Sequence, residues 1–456
     1  MIRRAATGPL PLHLLCAAAG LVLAAGVYFY PLATFGKYLA AALAGLAVLY
    51  SPTAGLYLVA GLLPFLPNVS LLLLGGLVGF SFLLHRVWQR RLRLVPVAVE
   101  PPLLLFIAGL FLFSAVSVNP RGSLRELGLY AVSFVLFFVL VNQLDSKERL
   151  YRFLVFGLLA AFLVSLYGIY QYLIGVPVES AWVDMDRHPL LRTRVYSVFG
   201  NPNILAEYLV MLIPFGLALT WSARDGWKRL IFLGITGIMG LTLLLTFSRG
   251  GWVGLAAALV FLAFLKDWRY LLLLIPLAFA GFALLPQVVL ERLLTIFSLE
   301  DTSNIYRLVV WQEALGIIGD YWATGVGLGH QSFMEVYPYY MITRVKTPFH
   351  VHNTYLQILV ETGIMGFALF IWLLASIMKK GIQGLRETRD PFLHGMIAAA
   401  LAATVGVLTQ GFGEHILYMP KVITLFWLNA AVIFAALRLQ QARPESLVKE
   451  TGPEER

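Results

Sequence analysis

The sequence predicts an all-α polytopic membrane protein with about 12–14 transmembrane helices. Two observations carry that prediction. Of 456 residues, 59% are hydrophobic and only 13% charged, about half the ~25% charge of an ordinary soluble domain. Apolar stretches of about 20 residues then recur along the whole chain, each long enough to cross about 30 Å of hydrocarbon. With no water in the bilayer core, the backbone of such stretches is satisfied by helix.

The elements follow in order. "MIRR" leads into apolar sequence with no small-residue cleavage site, which reads as a first membrane helix rather than a cleaved leader. Cys16 lies in that segment behind Leu15, unlike a lipoprotein processing site, and a single cysteine excludes an internal disulfide and a multi-thiolate metal centre. Length and periodicity put membrane segments near residues 20, 44, 60, 77, 109, 134, 164, 212, 238, 258, 278, 366, 401 and 428. "GLLPFLPNVSLLLLGG" can also form a re-entrant pair instead of two crossings. Residues 1–438 read as one transmembrane domain with a loop, 287–353, inserted on one side; 439–456 read as a polar, disordered cytoplasmic tail. At about 67 residues, that loop is long enough to carry its own structure.

Threaded with both termini inside, "RVWQRRLR", "DSKERLYR", "ARDGWKR", "KDWR" and "KKGIQGLRETRD" fall on the cytoplasmic side, with about two thirds of all Lys and Arg. The net charge of +10 is therefore a topology signal, and the basic residues do not gather into a nucleic-acid-binding face. The extracytoplasmic side receives the segment around 176–202, the turn at 248–251 and the long loop.

That outer side gathers unusual polar residues. "LRTRVYSVFGNPNILAEYL" sets Arg192 and Arg194 before a helix that Asn201 can cap, with Pro202 at its first position; Asn203 and Glu207 follow. "TFSRGGWVGL" puts Ser248 and Arg249 at an outer boundary, where an arginine can snorkel beside Trp252, and Gly250 and Gly251 allow backbone to approach a ligand. "NIYRLVVWQEALGIIGDY" predicts an amphipathic helix lying on the membrane surface, with Arg307, Trp311 and Leu315 on one face. "GVGLGH" lacks the strand–helix setting of a nucleotide fingerprint. In "HVHNTYLQILVE", Asn353 or Thr354 can cap the next helix, with Gln357 as return partner of a capping box. His350 and His352 cap nothing, and no carboxylate or thiolate in the local pattern completes a metal site with them. Glu361 falls about 13 Å along that helix, a depth at which an ionisable group faces protein or a water-filled cavity. Arginine forks suit phosphate oxygens, and histidine suits proton transfer near neutrality. Together they fit a lipid-linked phosphate or diphosphate.

At these residues the chain resembles the O-antigen ligase / O-antigen polymerase superfamily of bacterial envelope enzymes. The pieces are "RVYSVFGNPNILAEYL", "TFSRGGWVGL", "YRLVVWQEALGIIGDYWATGVGLGHQSF" and "HVHNTYLQILVETGIMGF", in that order, over about a third of the chain. The resemblance implies a fold like that of C-type (GT-C-like), multi-spanning glycosyltransferases. It implies transfer of a glycan from an undecaprenyl diphosphate carrier to an acceptor hydroxyl outside the inner membrane, without metal or other cofactor. By the same resemblance, Arg249 and Arg307 hold the diphosphate and Arg194 assists. His352 activates or aligns the acceptor hydroxyl, and Asn353 and Glu361 support it; Asn201, Asn203, Ser248 and Trp311 complete the supporting set, while His350 has no assured counterpart. The partners implied are the lipid-linked donor, membrane lipid, and an acceptor that is either lipid A-core (a ligase) or a further glycan repeat (a polymerase). A small-anion transporter of bicarbonate type is the rival from another class, for which inverted repeats and helices broken near the midplane are the signature.

Overall fold

The computed structural model describes residues 20, 21, 24, 27–90, 94–97, 99–178, 191–296, 301–342 and 348–441. Most of the first predicted segment, Cys16 and residues 442–456 lie outside them. The chain is an all-helical polytopic membrane protein, with no strand among the described residues. Among the described residues, ten helices are long and apolar enough to cross a bilayer, and two shorter apolar helices, Pro52–Leu62 and Glu100–Ala115, accompany them. At 11 residues, Pro52–Leu62 is only about 17 Å long, too short to cross alone. The last helix runs to Gln441, three residues beyond the predicted start of the tail.

Pro202–Ser222, Arg249–Lys266, Pro391–Gln410 and Pro420–Gln441 pack together at the centre, with Pro120–Gln143 against the last of them. Small residues let them approach. A Cβ on Gly251 would meet Ala206, and one on Gly254 would meet the carbonyl of Gly406. Gly251 therefore serves helix packing rather than the approach to a ligand that the sequence suggested.

Contacts tie several connecting segments together in two groups. In one, Lys147 pairs with Asp390, Arg438 donates to the carbonyls of Val141 and Asn142 at 2.8 and 2.9 Å, and Arg86 donates to Asn142 at 2.8 Å. In the other, Lys421 donates to the Pro64 carbonyl at 2.7 Å, and the N–H of Thr354 donates to the Gly411 carbonyl at 2.8 Å.

The long loop is structured, with helices Gln287–Leu294, Thr302–Asp320 and Gly329–Val336. Thr302–Asp320 is the predicted helix, and one of its faces packs against protein. Val310, Ala314 and Ile317 are buried with Val326, Phe333, Val351 and Val360 in a small core of their own. Burial against protein satisfies the same pattern that surface binding would. Leu315, on the predicted face, is exposed.

Thr354–Glu387 is broken at Gly363 (φ 59°, ψ −168°), a conformation open essentially to glycine. The freed groups on both sides of the break are taken by the loop at Trp322–Gly327. Ile364 donates to the Trp322 carbonyl at 2.8 Å, while Val326 and Gly327 donate to the carbonyls of Val360 and Glu361 at 2.8 and 2.9 Å. Gly325, Gly327 and Gly329 all have positive φ, which explains the alternate glycines. The same loop reaches the turn after Glu100–Ala115, where Val118 donates to the Val326 carbonyl at 3.0 Å. The stretch beyond the break, 364–387, is about 36 Å long and crosses by itself. Thr354–Thr362 is thus a separate segment docked under the loop, and the predicted 13 Å depth of Glu361 does not measure its distance into the bilayer. A Cβ on residue 363 would run into the Ala323 backbone, so Gly363→Ala is expected to cost more than the about 1–3 kcal/mol of backbone strain alone. Faster proteolysis within 322–329 and a lower melting temperature in detergent check this.

Candidate active site

Four helix starts and one hairpin turn bring the site together. Asn201 caps Pro202–Ser222, accepting from Asn203 N–H at 2.8 Å. Ser248 caps Arg249–Lys266, accepting from Gly251 N–H at 3.4 Å. Asp301 caps Thr302–Asp320, and Asn353 caps Thr354–Glu387, accepting from Tyr355 and Leu356 N–H at 3.0 and 3.1 Å. The residues before two of these caps, Phe247 (φ 50°) and His352 (φ 53°), are left-handed, an uncommon state for such side chains that cap and network hold in place. Gln357 does not close the predicted capping box: its carbonyl accepts from Val351 N–H at 2.8 Å, and its amide donates to Glu361 at 2.8 Å.

Glu414 is the hub, and it comes from the turn between the last two helices. It accepts from Asn203 Nδ2 at 2.8 Å and lies 2.9 Å from His352 Nδ1, 3.5 Å from His350 Nε2 and 3.9 Å from Arg307 Nη2. Asn203 Oδ1 in turn accepts from Ser248 Oγ at 2.9 Å and from Arg194 Nη2 at 3.3 Å. One bonded network thus joins Arg194, Asn203, Ser248, Glu414, His352 and Arg307. Trp311 does not stack under Arg307; its indole donates to the Val351 carbonyl at 3.1 Å and braces the histidine turn. Asn353 ties the same turn to the Phe412 carbonyl at 3.1 Å.

Arg249 does not snorkel. It is buried and donates to Asp301 at 2.9 Å, to the Thr295 carbonyl at 2.7 Å and to Asn304 at 3.1 Å. Arg292 lies 3.8 Å from the other Asp301 oxygen. Glu361 sits apart from this network, joined to it through Gln357 and Val351.

The electrostatics follow from crowding. Burial, then repulsion from Arg292, Arg249 and Arg307, pulls Arg194 down to about 9; burial and Arg249 pull Arg292 down to about 10. Among the described residues, the guanidiniums of Arg194, Arg249, Arg292 and Arg307 crowd around the carboxylates of Asp301 and Glu414. Burial alone would raise Glu414, but His352, His350 and Arg307 hold it well below the usual carboxylate range. Burial pushes His350 down to about 3, so that imidazole is neutral at physiological pH. Its Nδ1 accepts from the His352 N–H at 3.1 Å, which directs its own N–H at Glu414.

Sequence reasoning missed Glu414, His415, Arg292 and Asp301. The available signal was "GFGEHILYMP", an adjacent Glu and His in a turn between apolar helices. The carboxylate that no local pattern supplied to the two histidines comes from this turn. The ligand atoms of His350, His352 and Glu414 lie within 4.8 Å of one another, close enough to hold a metal ion geometrically.

Comparison with known proteins places this geometry. A family model described as O-antigen ligase matches residues 234–371, a span holding Arg249, Arg307 and His352 but not Glu414. The chain is 26% identical over 373 residues to the O-antigen ligase of Pseudomonas aeruginosa, covering 79% of this chain and 83% of that protein. It is 22% identical over 387 residues to the teichuronic acid biosynthesis protein TuaE of Bacillus subtilis, covering 76% and 74%. It is 24% identical over 298 residues to the exopolysaccharide production protein ExoQ of Rhizobium meliloti, covering 60% and 64%. The chain thus carries a region that matches the O-antigen ligase family model and is similar, over most of its length, to an O-antigen ligase and to proteins of polysaccharide biosynthesis.

Proposed function

We propose that the protein transfers a glycan from an undecaprenyl diphosphate carrier to an acceptor hydroxyl at the outer side of the cytoplasmic membrane, as a ligase acting on lipid A-core. The observation that carries this reading is the His352–Glu414 contact of 2.9 Å beside the four arginines. With its proton on Nδ1 and donated to Glu414, His352 presents the lone pair of Nε2, and among the described residues that nitrogen has no hydrogen-bond partner. It takes the proton as the acceptor oxygen attacks the anomeric carbon. The bond from that carbon to the diphosphate breaks, and undecaprenyl diphosphate leaves with the electron pair. Arginines placed beforehand stabilise the charge that develops on it.

Arg307 is the arginine best placed to meet the donor. It is 22% exposed, and its closest carboxylate contact is 3.9 Å. Arg249 shapes the field from behind, through Asp301. Incubating the purified protein with an undecaprenyl-diphosphate glycan and lipid A-core, followed by product mass analysis, tests the proposal; no product with any glycan or lipid acceptor overturns it. Repeat-unit polymerisation is the second reading, favoured by the relatives named for teichuronic acid and exopolysaccharide, and ladder-like products on a glycan acceptor would identify it.

Transfer is expected to survive exhaustive chelation. His352 Nδ1 is committed to Glu414, and the arginines already supply the charge that a metal would bring. Activity lost to EDTA and restored by Mg²⁺ or Mn²⁺ would instead put an ion among His350, His352 and Glu414. Orientation is tested separately. A single cysteine at position 335 is expected to react with an impermeant reagent in spheroplasts, and cysteines at 225 and 386 are not; the opposite pattern would turn the arginines to the cytoplasm.

A further inference from the structure

A second cavity, of about 390 Å³ including its open mouth, adjoins the site and shares His350 with it as a wall. Helix Pro120–Gln143 contributes Glu126, the docked segment contributes Gln357 and Glu361, and the hairpin turn contributes His415 and Tyr418, with Phe349 beside them. No arginine lines it.

Its polar groups have spare bonding capacity. His415 is 2% exposed, yet its Nδ1 has no hydrogen-bond partner. Burying such an atom without a partner is unfavourable unless a ligand or water completes it. Glu361 is 5% exposed and accepts from Gln357 at 2.8 Å and from the Gly329 backbone N–H. Glu126 makes no side-chain hydrogen bond among the described residues. Flat apolar faces lie between these groups. The Phe349 ring stacks on His330 with centroids 3.8 Å apart, Tyr418 stacks on His415 at 5.9 Å, and the Phe349 and Tyr418 rings are 5.9 Å apart.

Carboxylates that accept, an imidazole able to accept or donate, and aromatic faces together suit a ring with hydroxyls around its edge and C–H groups on its faces. A phosphate would find no arginine there to pair with its charge. A hydrocarbon tail would leave the same carboxylates and His415 unpaired. The donor diphosphate belongs on the arginine side of His352, which leaves this side for the other substrate. The His350 and His352 rings are 4.3 Å apart, so the proposed base lies one side chain beyond the cavity wall.

We propose that this cavity is the acceptor subsite, and that it takes an uncharged terminal sugar ring held by Glu126, Glu361 and His415 against Phe349 and Tyr418. The assignment rests on the transfer reading above, so its test has one arm that needs no turnover. Saturation-transfer NMR on the full chain in nanodiscs, with methyl glycosides of glucose, galactose, mannose and rhamnose as probes, is expected to show transfer to at least one glycoside. The signal should fall at least threefold in Glu126→Gln. No signal in the wild-type protein, or an equal one in Glu126→Gln, overturns the subsite. In the kinetic arm, with the lipid-linked donor and a soluble glycan acceptor, Glu126→Gln and His415→Asn are expected to raise acceptor KM about tenfold. Donor KM and kcat at saturating acceptor should stay within twofold. A rise in donor KM instead would assign the cavity to the donor glycan and overturn the proposal. Monodisperse elution of both variants controls for folding. An NMR signal without any glycan transfer by the wild type would sink the transfer reading and leave the sugar site standing.

Discussion

Replacing Glu414 with glutamine is expected to lower glycan transfer by about 10³- to 10⁴-fold, the loss seen when the carboxylate orienting a catalytic histidine becomes an amide. The amide keeps the shape but no longer requires the proton of His352 to sit on Nδ1. It also removes the charge that faces Arg307 and the His350 N–H. His352→Ala is expected to fall by about 10²- to 10⁴-fold, the range for removing a general base. The double variant should be scarcely worse than the weaker single, because the two side chains act as a unit. Steady-state rates for the three variants check this. Additive losses would mean that Glu414 serves the arginines rather than the histidine. Stability gives a second readout. A carboxylate held below its ordinary value of about 4.3 contributes stability above that pH and loses it as the pH falls. The wild-type melting temperature should therefore drop on acidification more steeply than that of Glu414→Gln.

Arg307→Lys is expected to lose about 100- to 1000-fold in transfer, or about 2.7–4 kcal/mol, with an unchanged melting temperature. Lysine keeps the charge but not the planar fork that grips two phosphate oxygens. Arg249→Lys should lose activity on the same scale and melt earlier as well. Its guanidinium spans Thr295, Asp301 and Asn304 from a buried position, and lysine cannot reach all three. Sequence alone gave no reason to expect a folding defect at Arg249, since it read as a diphosphate-binding residue at an outer boundary; its buried ion pair supplies one. Calorimetry beside the transfer assay separates the two roles, and equal stability in both variants would contradict the different places assigned to these arginines.

The helices were legible because membrane-spanning segments announce themselves by length and composition. The caps at Asn201 and Asn353 were legible because capping is chemistry between neighbours in sequence. Arg194, Arg249, Arg307 and His352 could be singled out because charged and titratable side chains are rare in such a chain. Their grouping was not legible, because it depends on which helix ends meet. Asn203 touches Glu414 across 211 residues, and no periodicity reports such a contact. Glu414 itself looks ordinary in its turn, where a carboxylate is cheap. The break at Gly363 was hidden as well, since an isolated glycine inside an apolar helix does not disclose that a loop 40 residues earlier takes over its hydrogen bonds.

The place of Glu414 along the chain sets an order of assembly. During translation, all four arginines and both histidines emerge before it. Until the hairpin formed by Pro391–Gln410 and Pro420–Gln441 has left the translocon, Arg307 and His352 lack the carboxylate of Glu414. The same turn holds the start of Thr354–Glu387, because Thr354 Oγ1 donates to the Glu414 carbonyl at 2.9 Å. The network that joins His352 to Asn203 and Arg307 is therefore complete only when the final two helices are in the bilayer.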